Sequence, residues 1–314
     1  MRLFASIASY CDPVLPFTLE RAVALAADPA RLHFGVVEQS PAGTARVAAP
    51  GGGARLSQVH VDVTDARGPC WARAIAMSLY DGEDWFLQLD SHMDFDPGWD
   101  ERLIAQAQSL GAPQRDLVIS TYPDAFRFVE GRPVRQATTT GVLAQVLKPG
   151  TSFAADHPVL SFEAHPVDSA ACVPAFHVGA GCLFAPGRIA QRFPYDPWLY
   201  FHGEEQALAL RLWTHGWDLF HMPALPVHHL YNDAASGAPP RPLHWDEAHE
   251  SARDVDWWTL EQRSRARLSA LVGGGDLGIY GPGRARSLAD YAAFSGIDYA
   301  ARTLAPSAFT PRAG

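Results

Sequence analysis

Asp90 and His92 stand two residues apart where the apolar run "WFLQLDSHMDFD" ends. In extended chain, side chains at i and i+2 project to the same side. A carboxylate oxygen and an imidazole nitrogen on one side make two arms of a divalent-cation site, suited to Mn2+ and less well to Mg2+. The competing reading is a strand that enters a polar turn at Asp90-Ser91 and leaves His92 on the surface. A third ligand would come from elsewhere, and the His228-His229 pair in "PVHHLY" is the best source. Adjacent strand residues face opposite sides, so at most one of the two would be a ligand. With 13 histidines in the chain, chance pairing is cheap.

Three further stretches carry chemistry-bearing side chains. "DARGPCWAR" places Arg67 just before an expected helix start and Arg73 in its second turn. A helix N-terminus beside a guanidinium can hold an anion; the plain alternative is a loop with two solvated arginines. "FHGEEQ" puts Glu204 and Glu205 at another helix start, where acidic residues also favour the helix dipole without any catalytic role. "YGPGRAR" has the look of a phosphate-gripping loop, but it does not match the P-loop pattern and reads better as a turn.

These residues need a scaffold, and the first 120 positions supply one. Strands are expected over 2–9, 32–39, 56–63, 85–90 and 116–122. Helices are expected between them, over 15–28, 68–82 (with Trp71, Ile75 and Leu79 on one face) and 98–111. Such alternation predicts a mostly parallel sheet with helices on both faces, with ligands at the carboxyl ends of its strands. Asp90 lies at one such end. From 123 to 185 the chain changes to short β segments and turns, and Gly179 and Gly181 suggest close backbone approach. A helix is expected over 203–217, a flexible loop over 232–242, a long helix over 244–272 and a last helix after Ser287.

Bulk composition excludes several classes. The 314 residues carry a net charge of −9 and no basic block, which argues against nucleic acid or an anionic membrane as partner. No apolar run reaches the roughly 18 residues of a spanning helix. The N-terminus reads as a first strand and lacks the features of a signal peptide. Four scattered cysteines without a C-x-x-C pair suggest neither a structural zinc nor a need for disulfides, so a cytoplasmic protein is the expectation. A homodimer is the default assembly.

Taken together, the motifs resemble a known family. "SIASYCDP", "ARGPCWAR", "FLQLDSHMDFDPGWDERLI", "GAGCLFAP", "FHGEEQALALRLWTHGWD", "VHHLY" and "LGIYGPGRARSLADYAAFSGID" follow the order seen in cytoplasmic hydroxyproline N-acetylglucosaminyltransferases. A more distant likeness links the D-x-H motif and the GEE helix to polypeptide N-acetylgalactosaminyltransferases, although His202-Gly203 stands where those have paired glycines. The resemblance implies an α/β GT-A fold, Rossmann-like, over 1–243. Its nucleotide-sugar half would be 1–122 and its acceptor half 123–243, with a helical region, 244–314, packed on them. It implies UDP-GlcNAc as donor, Mn2+ or Mg2+ as cofactor, a retaining reaction and a hydroxyl acceptor such as protein hydroxyproline. Asp90, His92 and His229 would hold the metal. Ser9, Tyr10, Arg67, Gly68, Arg73, Asp90 and Ser91 would meet the donor. Glu204 and Glu205 would face sugar and acceptor, orienting them before acting as a base. The alternatives are a UDP-sugar-binding protein without turnover and a metal-dependent hydrolase on the same Asp/His site.

Overall fold

The computed structural model describes residues 1–136, 139–233 and 235–312. The alternating first third forms β1 (Leu3–Tyr10), α1 (Leu15–Leu25), β2 (Leu32–Ser40), β3 (Arg55–Asp62), α2 (Pro69–Met77), β4 (Trp85–Asp90), β5 (Met93–Phe95), α3 (Trp99–Ser109) and β6 (Leu117–Ile119). The middle third holds β7 (Asp124–Val129), β8 (Arg132–Arg135), β9 (Val142–Leu147), β10 (Phe162–Val167), β11 (Val173–Pro174) and β12 (Cys182–Pro186). After a single helical turn, α4 (Ile189–Arg192), come α5 (Glu204–Thr214), β13 (Asp218–His221) and β14 (Val227–His229). The last part is helical, with α6 (Glu247–Glu250), α7 (Trp257–Val272) and α8 (Leu288–Ser295).

An eight-stranded sheet runs in the order β11-β13-β6-β12-β4-β1-β2-β3. β3, β2, β1 and β4 are parallel neighbours; β1, β2 and β4 are largely apolar and buried on both faces, whereas β3 at the edge alternates and is half-buried. β12 lies antiparallel between β4 and β6, and β11 is antiparallel to β13. The sheet is therefore mixed at the end that follows the metal motif. A second sheet, β5-β14-β7-β8, branches from the end of β4. It pairs β14 antiparallel with β5, with His229 opposite Met93, and so returns a distant segment to the D-x-H turn.

Two cores flank the main sheet. One contains Leu15 and Leu19 of α1 with Trp99 and Leu103 of α3. The other contains Met77 of α2, Leu208 and Leu212 of α5, Leu268 and Leu271 of α7 and Tyr291 of α8. The C-terminal helices thus share a core with α5, the helix that carries the GEE motif.

Some expected boundaries shift. The helix expected over 244–272 is interrupted: α6 ends at Glu250, and α7 starts only after Asp256, which caps it by accepting from Thr259 N–H. The strand expected over 116–122 ends at Ile119. Beyond it, the Thr121 hydroxyl in place of the backbone accepts Met222 N–H at 2.7 Å. α2 ends at Met77, and its buried face is Cys70, Arg73 and Met77 with Ala72 and Ala76; Trp71, Ile75 and Leu79 are only half-buried. An apolar pattern could not reveal a face that contains a neutralised arginine. The four cysteines are free thiols, and among the described residues no helix is long and apolar enough to cross a membrane.

Candidate active site

β4 ends at Asp90, whose backbone N–H donates to Gly181 O at 3.2 Å just before β12. His92 follows in the turn, and His229 arrives on β14. His92 Nε2 lies 3.0 Å from His229 Nε2. Asp90 Oδ2 is 3.3 Å from His229 Nε2 and 4.0 Å from His92 Nε2. All three ligand atoms fall within 4.8 Å of one another. His228 points away, its Nε2 3.0 Å from Asp96 Oδ1. Strand parity had left the two histidines equivalent; pairing of β14 with β5 separates them.

The donor set suits a divalent ion of borderline hardness, with one carboxylate oxygen and two imidazole nitrogens. A carboxylate behind His92 adds to this. His92 Nδ1–H donates to Asp12 Oδ2 at 2.7 Å, which leaves the Nε2 lone pair directed at Asp90 and His229. Such a partner fixes tautomer and ring orientation in metal-binding histidines. The Ser91 hydroxyl donates to the same Asp12 oxygen at 2.6 Å, so buried Ser91 acts on His92 through Asp12.

Charge balance holds Asp90 ionised. Burial opposes its charge, but the hydrogen bond from His229 and the charge of Arg73 win and hold the carboxyl well below the usual range. Arg73 Nη2–H donates to Asp90 Oδ1 at 2.9 Å, and Nη1–H to Glu204 Oε1 at 2.6 Å. Burial works against this guanidinium too, yet the carboxylates keep it firmly protonated. Glu204 accepts in addition from the Cys70 thiol at 2.9 Å and the Tyr195 hydroxyl at 3.0 Å. Burial pushes the Cys70 thiol far up, so it remains a protonated donor.

The other expected site residues sit in different surroundings. Glu204 is buried with both oxygens engaged, and it anchors α5 to Arg73. Glu205 is the outward carboxylate, two-fifths exposed. Its Oε1 accepts Ala180 N–H at 2.7 Å, and it borders a cavity of about 190 Å3 with Asp90, Gln145, His229 and Tyr231. Arg73 lies between two carboxylates, at the wall of a cavity that it shares with Tyr10, Asp90 and His92. Arg67 stays outside the site: it is exposed, 6.0 Å over the Trp71 ring, beside a separate cavity with Trp198 and Tyr200. Gly68 has φ +90° and caps α2, and a Cβ there would meet the Tyr200 ring at 2.5 Å, so its role is backbone close approach.

Ser9 is buried, with no partner for its hydroxyl among the described residues. Tyr10 borders a second cavity of about 340 Å3 that also reaches Asp12, Asp90, His92 and Arg241. Its hydroxyl accepts from Arg253 and donates to His249 Nδ1 at 3.1 Å. Burial raises its pKa to about 12, so it stays a neutral phenol.

Asp12 and Arg241 are site residues that sequence reasoning missed. Asp12 follows a strand end, the one signal that could have marked it. Arg241 falls in the stretch expected to be a flexible loop. It is buried, donates through Nη2 to Leu230 O at 2.6 Å, and has no partner for Nη1 among the described residues.

The expected close approach at Gly181 and Gly179 is present. A Cβ at Gly181 would sit 2.7 Å from Asp90 Oδ2, and one at Gly179 would sit 2.4 Å from Gln145 Nε2. Because Asp90 is pinned by Arg73 and His229, it cannot swing clear. Gly181→Ala is expected to weaken Mn2+ binding roughly 10- to 100-fold, the scale of disturbed support around metal ligands. Calorimetric titration of the apo-protein measures this, and unchanged affinity would contradict the tight fit.

A family model described as Glycosyltransferase (GlcNAc) matches residues 45–301. No curated protein matches the chain. Among solved structures, GalNAc-T7 with UDP, GalNAc and Mn2+ is similar, with TM-score 0.56 and 12% identity over 85% of this chain and 48% of that chain. This chain therefore spans about half the length of that relative. TarS of S. aureus matches with TM-score 0.44 and 13% identity, over 71% of this chain and 37% of that one.

Proposed function

The chain belongs to the GlcNAc glycosyltransferase family and has the GT-A fold, and from this premise we propose that it is a metal-dependent, retaining transferase. It moves N-acetylglucosamine from UDP-GlcNAc to a hydroxyl, with protein hydroxyproline as the acceptor that the motif resemblance favours. The observation that carries this reading is the convergence of Asp90 Oδ2, His92 Nε2 and His229 Nε2 where β4 ends. In open α/β sheets that is where ligands bind.

Asp90, His92 and His229 would hold Mn2+ or Mg2+, and Asp12 with Ser91 would keep His92 in the ligating tautomer. A bound ion supplies Lewis-acid stabilisation of the leaving diphosphate, worth several kcal/mol. The half-satisfied guanidinium of Arg241 adds a fixed cation toward the same charge. Ser9 and Tyr10, at the end of β1, lie on the nucleoside side. Glu205 and Gln145 line the sugar side and orient hydroxyls there. With front-face attack, a phosphate oxygen of the donor takes the acceptor proton, and no dedicated base is required. Residues 1–122 form the donor half and 123–243 the acceptor half, with the helical region from 244 to 312 packed against them.

The test is UDP release from UDP-GlcNAc, with UDP-GalNAc as competitor donor. EDTA is expected to abolish release and Mn2+ to restore it, and an acceptor hydroxyl is expected to accelerate it. Equal rates in EDTA and Mn2+ remove the metal role. Lack of UDP-GlcNAc binding by calorimetry removes the donor, and full turnover with water alone identifies a hydrolase.

A further inference from the structure

We propose that His177 is a positioning residue for Glu205, the two forming a buried brace behind the cleft; this rests on the reading of Glu205 given above. His177 is 1% exposed, and neither ring nitrogen has a hydrogen-bond partner among the described residues. Its ring lies flat on Phe162, with centroids 3.4 Å apart and planes 2° from parallel. Its Nε2 faces the cleft carboxylate, 3.6 Å from Glu205 Oε2. Buried polar groups are normally paired, and an orphan calls for an explanation. Phe162 covers a face of the ring, not a nitrogen, so packing alone does not account for an imidazole here.

Glu205 supplies the explanation. Its Oε1 already accepts the N–H of Ala180, three residues beyond His177. One short segment before β12 therefore presents a donor to each carboxylate oxygen. The Ala180 bond is formed at 2.7 Å, whereas the His177 contact is just beyond bonding length. Contacts of this kind are often long in a free enzyme and tighten in the complex. When His177 Nε2–H closes on Oε2, the carboxylate loses its remaining rotation. Its free lone pairs then point into the cavity whose lining includes Asp90 and His229. No proton changes owner: His177 donates Nε2–H and keeps it.

The test is a double-mutant cycle with His177→Phe, which fills the space without an N–H, and His177→Gln, which offers an amide N–H. Each is made alone and with Glu205→Gln, and donor KM, kcat and the unfolding midpoint are measured for all. His177→Phe is expected to lower kcat roughly 10- to 100-fold, the scale of a misplaced reacting group, with donor KM held. His177→Gln is expected to recover part of the loss. In the Glu205→Gln background, His177→Phe is expected to cost nothing more, because the two act as a unit. Wild-type kcat in His177→Phe, or losses that add, overturns the brace. Wild-type kcat in Glu205→Gln alone instead overturns the underlying role of Glu205. Should His177→Phe not fold, the cycle run with His177→Gln decides: losses that add there overturn the brace, and non-additive losses support it.

Discussion

Replacing Asp90 by alanine is expected to remove Mn2+-stimulated UDP release, lowering kcat on the order of 10³-fold. That figure converts several kcal/mol of Lewis-acid stabilisation at about 1.4 kcal/mol per decade of rate. The variant leaves two imidazoles where three ligands converged, so apo-protein titrations with Mn2+ should show a matching collapse in affinity. The fold is expected to survive. Arg73 loses its bond to Asp90 but keeps its 2.6 Å bond to Glu204, so the buried guanidinium remains paired. Asp90→Asn sharpens the assay, because it keeps the side-chain shape and an oxygen for Arg73 while removing the ligand charge. Metal-stimulated turnover at the wild-type level in either variant would exclude Asp90 as a ligand.

The second large effect separates adjacent glutamates. Glu204→Ala breaks a buried ion pair from one side, leaving Arg73 with Asp90 alone and the Cys70 and Tyr195 donors without an acceptor. Removing one partner of a buried pair costs about 3–5 kcal/mol. In a chain of this size that lowers the unfolding midpoint by roughly 5–8 °C. Glu205→Gln touches a carboxylate that is two-fifths exposed and lies at the cavity wall. Its midpoint is expected to stay near wild type while kcat falls. Scanning calorimetry and UDP release on both variants measure the contrast. A stable Glu204→Ala beside an unfolded Glu205→Gln would reverse the assignment.

The alternating core of β1, β2 and β4 was legible because strands buried on both faces need apolar residues at nearly every position. Asp90 was legible as a carboxylate at the end of an apolar run, but the strand stops there and His92 follows in the turn, so strand periodicity did not place the two together. What stayed hidden depended on distant partners. Asp12 gains its role from a histidine 80 residues away. Arg73 is in the buried face of α2, which hydrophobic patterning assigned elsewhere, because two carboxylates neutralise it. Glu204 and Glu205 both occupy the first turn of α5, and spacing gives no reason to prefer either. Packing decides, since α5 turns Glu204 toward Cys70, Arg73 and Tyr195 and leaves Glu205 beside Ala180. Arg67 was drawn into the site by its nearness to a helix start, yet its side chain lies outward along Trp71.

The second sheet has a consequence for how the protein matures. His92 and His229 are separated by 137 residues and meet only after β14 has docked on β5. A nascent chain that has made β4 and its turn owns two ligands and no cage. Tight capture of an ion by these three side chains would therefore come last, after β14 has docked. Under the proposed metal role, ion binding would report completed assembly, and its binding energy would add stability to the whole fold at once, not to one hairpin.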